Sequence, residues 1–251
     1  MKLPFVALLC LSFLSNGLAA KRSDSKLRNR HVSGGRKLQM PVEDSEEESP
    51  EFDYTEDGKR IYYIYLSGPE VFLEDAVAAG EEGKRLCNSV NQPDWDFEIQ
   101  ALYPLDKAID NFGYNLDTAL RIYYANVDLM TQAHATASNM VRFRSPSMDV
   151  GTAFEMGFVR AQGKPVFSYY DAVPFYGAFE ESGSYQERVF FYNYTTSVED
   201  RFDKDGIEVE GFGANDNLMM WGSYVDTGFP QGETVIDACG YFADWIFENE
   251  Y

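Results

Sequence analysis

Histidine is almost missing from this chain: two among 251 residues, His31 and His134. His31 falls in a segment read below as disordered, which leaves one usable imidazole. Ser-His-Asp and Cys-His catalytic systems are therefore poor readings, as is a histidine-rich zinc site. Cysteine is scarce too, with Cys10, Cys87 and Cys239 forming no CxxC pair and no metal spacing. Cys10 lies in an apolar leader. Cys87 and Cys239 read first as buried thiols acting as small hydrophobes; a disulfide stays open if the chain is secreted, because sequence does not show proximity. Basic charge is in deficit, 21 Lys and Arg against 41 Asp and Glu, net −20. The basic footprint of a nucleic-acid binder is absent. After residue 20 no stretch is long and apolar enough to cross a membrane. An enzyme of this composition must place much of its chemistry on carboxylates.

What is present suits one folded domain. Hydrophobic residues make up 45% and aromatics 16%, which excludes a wholly disordered or fibrous chain. Residues 1–20 read as a signal peptide, with Lys2 as the charged start, an apolar run from Phe5 to Leu14, and small residues at Gly17, Ala19 and Ala20. The expectation is entry into the secretory pathway, the product secreted or lumenal and not membrane-bound once the leader is removed. A two-part organelle leader is the alternative, with the basic block as its second half. Residues 21–58 read as a disordered charged linker. Seven Lys or Arg and one Asp lie between Lys21 and Lys37, and nine of the fifteen residues from Glu43 to Asp57 are acidic, with little apolar surface to offset ordering entropy.

The domain is expected over 59–251. Ile61 to Leu66 reads as a buried strand ended by Ser67-Gly68-Pro69, Val71 to Cys87 as a helix, and Ala101 to Leu105 as a second strand. An amphipathic helix follows over Leu116 to Thr131. Ala133 to Val141 is a third strand. Ser147 is a possible cap for the helix running through Ala153 to Ala161, and Val166 to Tyr170 is a fourth strand. Thr234 to Phe247 is a last helix. This alternation predicts an α/β fold with a parallel sheet, its ligand loops gathered at one sheet edge. Residues 170–215 read as an insertion or lid with little regular structure.

The stretch from Arg142 to Val166 carries the chemistry. Glu155 sits between Phe154 and Met156 in an apolar helix, where a carboxylate is costly unless paired or open to a cleft. Gly151 and Gly157 flank it, each weakening the helix by roughly 1 kcal/mol relative to Ala. Asp149 stands at the helix start, where the dipole favours negative charge. Two carboxylates in one pocket suit displacement at a sugar carbon. The plain alternative makes Asp149 a cap and turns Glu155 to solvent.

These residues resemble the nucleoside 2-deoxyribosyltransferase family. The matches are Asn139, Phe143-Arg144, Pro146-Ser147, Asp149, Gly151-Thr152, Glu155, Gly157 and Gly163-Lys164-Pro165-Val166, with Tyr65 to Pro69, Val71-Phe72, Tyr103 to Asp106, Asn126 and Asp128, and Asp216 to Met219. They run in family order over residues 61 to about 245. The resemblance implies a flavodoxin-like doubly wound fold, about five mostly parallel strands with helices on both faces, and no metal or organic cofactor. It implies Glu155 as nucleophile, Asp149 as the acid and base serving the nucleobase, and Tyr65 holding Glu155. It places Asn217, entering from a neighbouring subunit, on the sugar 5′-hydroxyl, Met219 nearby, and Asp128 and Phe143 near the base. Gly68 and Gly151 would let backbone approach the ligand. The implied partners are deoxynucleosides, free nucleobases and a second copy of the chain. A hydrolase of nucleosides or their 5′-monophosphates is the nearest rival, and a non-catalytic nucleoside-binding protein the rival of another class. Met140-Val141-Arg142 stands where the family has Leu-Thr-Pro, and Ser145 where it has Gly. Apart from the family, Asn193-Tyr194-Thr195 is an N-glycosylation sequon, which puts Asn193 on the surface if the chain enters a eukaryotic secretory pathway.

Overall fold

The computed structural model describes residues 52–110, 113–176 and 183–249. The expected signal peptide and residues 21–51 of the expected linker lie outside them. β1 (Arg60–Ser67) is buried along both faces, as its β-branched and aromatic run predicts for a central parallel strand. It pairs in parallel with β2 (Phe97–Leu102) and with β3 (Ala135–Asn139), and β3 pairs in parallel with β4 (Val166–Tyr169), giving the order β2-β1-β3-β4. Ile64 stands opposite Ala101 on one side and Ala135 on the other.

Helices α1 (Ala76–Asn88) and α7 (Val235–Asn249) cover one face of the sheet, and α2 (Leu116–Gln132), α3 (Val150–Ala161) and α6 (Leu218–Val225) the other. The first face buries Tyr62, Ile64, Phe97, Phe167 and Phe242 around Cys87 and Cys239, and the second buries Tyr65, Leu129, Met130, Met156 and Tyr224. The chain leaves β1 toward one layer and β3 toward the other. The carboxyl ends of these adjacent strands therefore frame a crevice, the place where open α/β sheets bind ligands.

The fold is flavodoxin-like and doubly wound, with four strands where about five were expected. The fifth position holds a single parallel bridge between Tyr169 and Gly232. Pro230 has no N–H to continue a ladder, and Gly232 favours strand weakly. β2 begins four residues earlier than expected. Phe97, Ile99 and Ala101 face inward while Glu98 and Gln100 alternate outward, so the polar half of a period-2 pattern hid its start. α1 begins later, because a 3-10 turn at Pro69–Phe72 precedes it and Asp75 caps it at Ala78.

Two boundaries are corrected. Residues 52–58 belong to the fold rather than to a linker: Phe52 stacks on His134 at 5.3 Å, and the Ile61 N–H donates to the Asp53 carbonyl at 2.8 Å. The 170–215 segment holds α4 (Val173–Tyr176) and α5 (Tyr185–Phe191), the latter opened by a Ser184–Glu187 capping box. His134 is structural. Burial pushes its pKa down, and the neutral ring accepts the Tyr63 N–H at 2.9 Å through Nδ1.

Candidate active site

Helix α3 presses Met156 and Val159 onto the sheet, and this places the adjacent Glu155 against β1. The Tyr65 hydroxyl donates to Glu155 Oε1 at 2.8 Å. Burial pushes the Glu155 carboxyl up to about 8, with the Asp149 charge adding to the rise and the Tyr65 hydrogen bond opposing it. Tyr65 is itself buried, and burial followed by the Glu155 charge raises its pKa, so it remains a neutral donor.

Asp149 caps α3. Its Oδ2 accepts from the Thr152 backbone N–H at 2.9 Å and from the Thr152 hydroxyl at 3.2 Å. Among the described residues nothing bonds Oδ1, which leaves that oxygen for chemistry. Ser147, the expected cap, donates its hydroxyl to Asp216 instead, and the Met148 N–H donates to Asp216 Oδ2 at 2.9 Å. Asp216 is buried with Arg188 of α5, their charged groups 3.5 Å apart. The loop that delivers Asp149 is thus held from the 170–215 segment. Arg142, which stands where the family has proline, donates to the Tyr192 hydroxyl and lies over the Phe191 and Tyr192 rings, a second tie to that segment.

Sequence reasoning missed Glu70. It follows β1, and its Oε1 accepts from Asn139 Nδ2 at 2.6 Å. Asn139 also donates to the Asp171 carbonyl and accepts the Asp171 and Val141 N–H groups, so one amide ties the ends of β3 and β4 to the loop after β1. Burial pushes the Glu70 carboxyl up to about 7, opposed by its hydrogen bonds, with Asp171 and Asp149 adding to the rise. The space that Gly68 leaves is filled by this side chain: a Cβ there would lie 2.0 Å from Glu70 Oε2. The close approach expected of a ligand at Gly68 is therefore made by Glu70.

Beside Glu155 opens a cavity of about 320 Å³ lined by Tyr123, Asn126, Met130, Gly151 and Phe154, within the roughly 300–1,000 Å³ usual for small-molecule sites. The Asn126 Oδ1 is buried, with no hydrogen-bond partner among the described residues. Tyr123, Asn126 and Met130 are spaced i, i+3 and i+7 along α2, and that spacing was the available clue. Asp128, the expected contact from this helix, lies about 200° round from Asn126, exposed and paired with Lys107 at 3.2 Å. Gly151 reaches the cavity as expected, and a Cβ there would meet Asp149 Oδ2 at 2.9 Å. Phe143 stacks on Phe72 at 5.1 Å and does not line this cavity. Asn217 caps α6, accepting the Met219 N–H at 3.0 Å and donating to Glu210 at 2.7 Å. Neither Asn217 nor the exposed Met219 lines the same chain's cavity. Among the described residues no three His, Cys, Asp or Glu side chains come together as metal ligands.

Known proteins place this arrangement in context. A protein of Schizosaccharomyces pombe described as uncharacterized is 28% identical over 175 residues, 65% of this chain and 77% of its own. The solved 2-desoxiribosyltransferase from Leishmania mexicana is 26% identical, with a TM-score of 0.50 over 73% of this chain and 97% of its own. The family profile described as nucleoside 2-deoxyribosyltransferase matches residues 64–219, a span running from Ile64 in β1, beside Tyr65, through Asp149 and Glu155 to Met219. By that match the chain belongs to the nucleoside 2-deoxyribosyltransferase family.

Proposed function

We propose that this protein transfers 2-deoxyribose between nucleobases by double displacement through Glu155. The observation that supports it most is the Tyr65–Glu155 hydrogen bond at the wall of an open cavity. In the first step a Glu155 carboxylate oxygen forms a bond to the sugar C1′. The C1′–N bond breaks, its electron pair goes to the base, and Asp149 supplies the proton. A glycosyl ester and a free base result. In the second step a nitrogen of an incoming base bonds to C1′, Asp149 takes its proton, and the ester bond breaks to restore the carboxylate. The unbonded Asp149 Oδ1 suits this proton traffic, since Oδ2 is occupied with the helix. Asn126, with its unpartnered oxygen, offers a polar contact to whatever fills the cavity.

A second copy of the chain covers this face in the same reading. Tyr123 and Phe154, which line the cavity, are exposed on α2 and α3, as are Tyr124, Leu116 and Val150 of the same helices, a grouping of the kind that marks an interface. Such a copy is the route by which Asn217 reaches a sugar it does not meet within its own chain.

The test is to incubate purified protein with deoxyinosine, with and without free adenine, and to separate the products. Deoxyadenosine and hypoxanthine are expected when adenine is present. Hypoxanthine with free deoxyribose, at a rate adenine does not change, would replace transfer by hydrolysis. No cleavage in either mixture would leave only binding.

A further inference from the structure

Asn193 lies on the surface just beyond α5, its backbone in the left-handed region at φ 62°, which asparagine enters more readily than most residues. The Lys204 ammonium donates to the Asn193 backbone carbonyl at 2.8 Å and to Oδ1 at 2.5 Å. An ammonium only donates, so this contact fixes which end of the amide is oxygen. Nδ2 is left on the other side, and among the described residues it bonds nothing. Nδ2 is the atom an N-linked sugar uses.

A second observation concerns Thr195, the hydroxyl residue of the only Asn-X-Ser/Thr triplet in the chain. It is buried, and among the described residues its Oγ1 has no partner. A buried, unpaired hydroxyl costs the fold stability that valine of the same shape would not. The hydroxyl therefore contributes nothing to the finished fold, while the sequon requires it before folding. A third observation is independent of the sequon. Cys87 in α1 and Cys239 in α7, both buried, form a disulfide with their Cα atoms 5.5 Å apart. Disulfides persist in oxidising compartments, the compartments that read sequons.

We propose that Asn193 carries an N-linked oligosaccharide, attached to the nascent chain before Thr195 is buried, in the compartment that oxidises Cys87 and Cys239. The amide nitrogen bonds to the anomeric carbon of an oligosaccharide carried on a lipid diphosphate. The carbon–oxygen bond to the diphosphate breaks, the diphosphate leaves with the electron pair, and one amide proton passes to the transferring enzyme. For the disulfide, the two thiols give up two protons and two electrons to a protein disulfide, which is reduced to a dithiol. After folding, Lys204 keeps its hold on Oδ1 and the sugar projects from Nδ2. The inference does not depend on which reaction Glu155 serves.

The test is expression of the full chain from Met1 in a eukaryotic host. Peptide N-glycosidase treatment and non-reducing peptide mapping then follow. The wild-type protein is expected to shift on deglycosylation, to acquire aspartate at position 193, and to yield a Cys87–Cys239 cross-linked peptide. Thr195→Val is expected to lose the shift without any fall in melting temperature, because the lost hydroxyl has no partner among the described residues. Asn193→Gln provides the same loss by a change at the surface. An unmodified Asn193 in wild-type protein, whether exported or retained, would overturn the proposal. So would a shift that survives Thr195→Val, or a glycosylated chain whose Cys87 and Cys239 alkylate as free thiols.

Discussion

Tyr65 lowers the proton affinity of Glu155 through its hydrogen bond, while burial and Asp149 raise it, and the balance lies near 8. Attack needs the carboxylate, so kcat/KM of the free enzyme is expected to rise with pH along a limb near that value. Tyr65→Phe removes the one opposing influence and should move the limb to higher pH by about one unit, with lower turnover at neutral pH. A pH–rate profile checks this, and an unmoved limb would reduce Tyr65 to a packing residue. The same shift predicts a stability effect of definite sign. A carboxyl whose pKa is raised by folding stabilises the fold below its ordinary value of 4.5. That contribution is lost as pH rises through about 8. Glu155→Gln should therefore flatten the decline in unfolding free energy across that window, as read by denaturant titration at several pH values. Asp149→Asn separates two roles of one side chain. Asparagine caps as well as aspartate, so α3 should persist. Transfer should fall by about 10²–10⁴-fold, and by much less on a deoxyriboside whose leaving group needs no proton. Equal losses on both substrates would leave Asp149 only its capping role.

At the scale of elements, the loop before α3 is held in place by Asp216. Arg188 and Asp216 form a buried pair, and removing one partner of such a pair typically costs about 3–5 kcal/mol. Asp216→Asn keeps the shape but weakens the hold on Ser147 and on the Met148 N–H. It should lower both thermal stability and kcat, with the activity loss concentrated on substrates that need a protonated leaving group. Equal activity loss on all substrates would make the network purely structural. These ties explain why some elements were legible in the sequence and others were not. β1 and α2 carry dense apolar patterns, β-branched and aromatic in one and helically spaced in the other, so local preference and tertiary burial agree. β2 interleaves Glu98 and Gln100 with its apolar residues because it lies at the sheet edge. The Ser184–Glu187 capping box of α5 is an explicit helix signature, yet it sits among Gly, Ser and Tyr that read as loop. Glu155, Asp149 and Tyr65 were legible from their motifs. Glu70 and Arg188 matter through partners far along the chain, such as Asn139 for Glu70, and no local spacing displays that; Asn126 was in the α2 motif, and its spacing with Tyr123 and Met130 was the one local sign that it faces the cavity.

For the whole molecule, the Cys87–Cys239 link spans 152 residues and joins α1 to α7 on the sheet face opposite Glu155. It corrects the first reading of these cysteines as separate thiols. Replacing both with alanine, or reducing the bond, should lower unfolding free energy by about 2–5 kcal/mol and leave the activity of the folded fraction unchanged. Denaturant titration with and without dithiothreitol checks the first part, and activity below the midpoint the second. The sheet itself limits how copies of the chain associate. One outer strand is β2, which turns Glu98 and Gln100 outward. The other is the four-residue β4, flanked by one bridge at Gly232 and a proline that offers no donor. Short and charged borders of this kind give a foreign strand little to pair with. Strand addition, the usual route to fibres, therefore finds little purchase on this sheet.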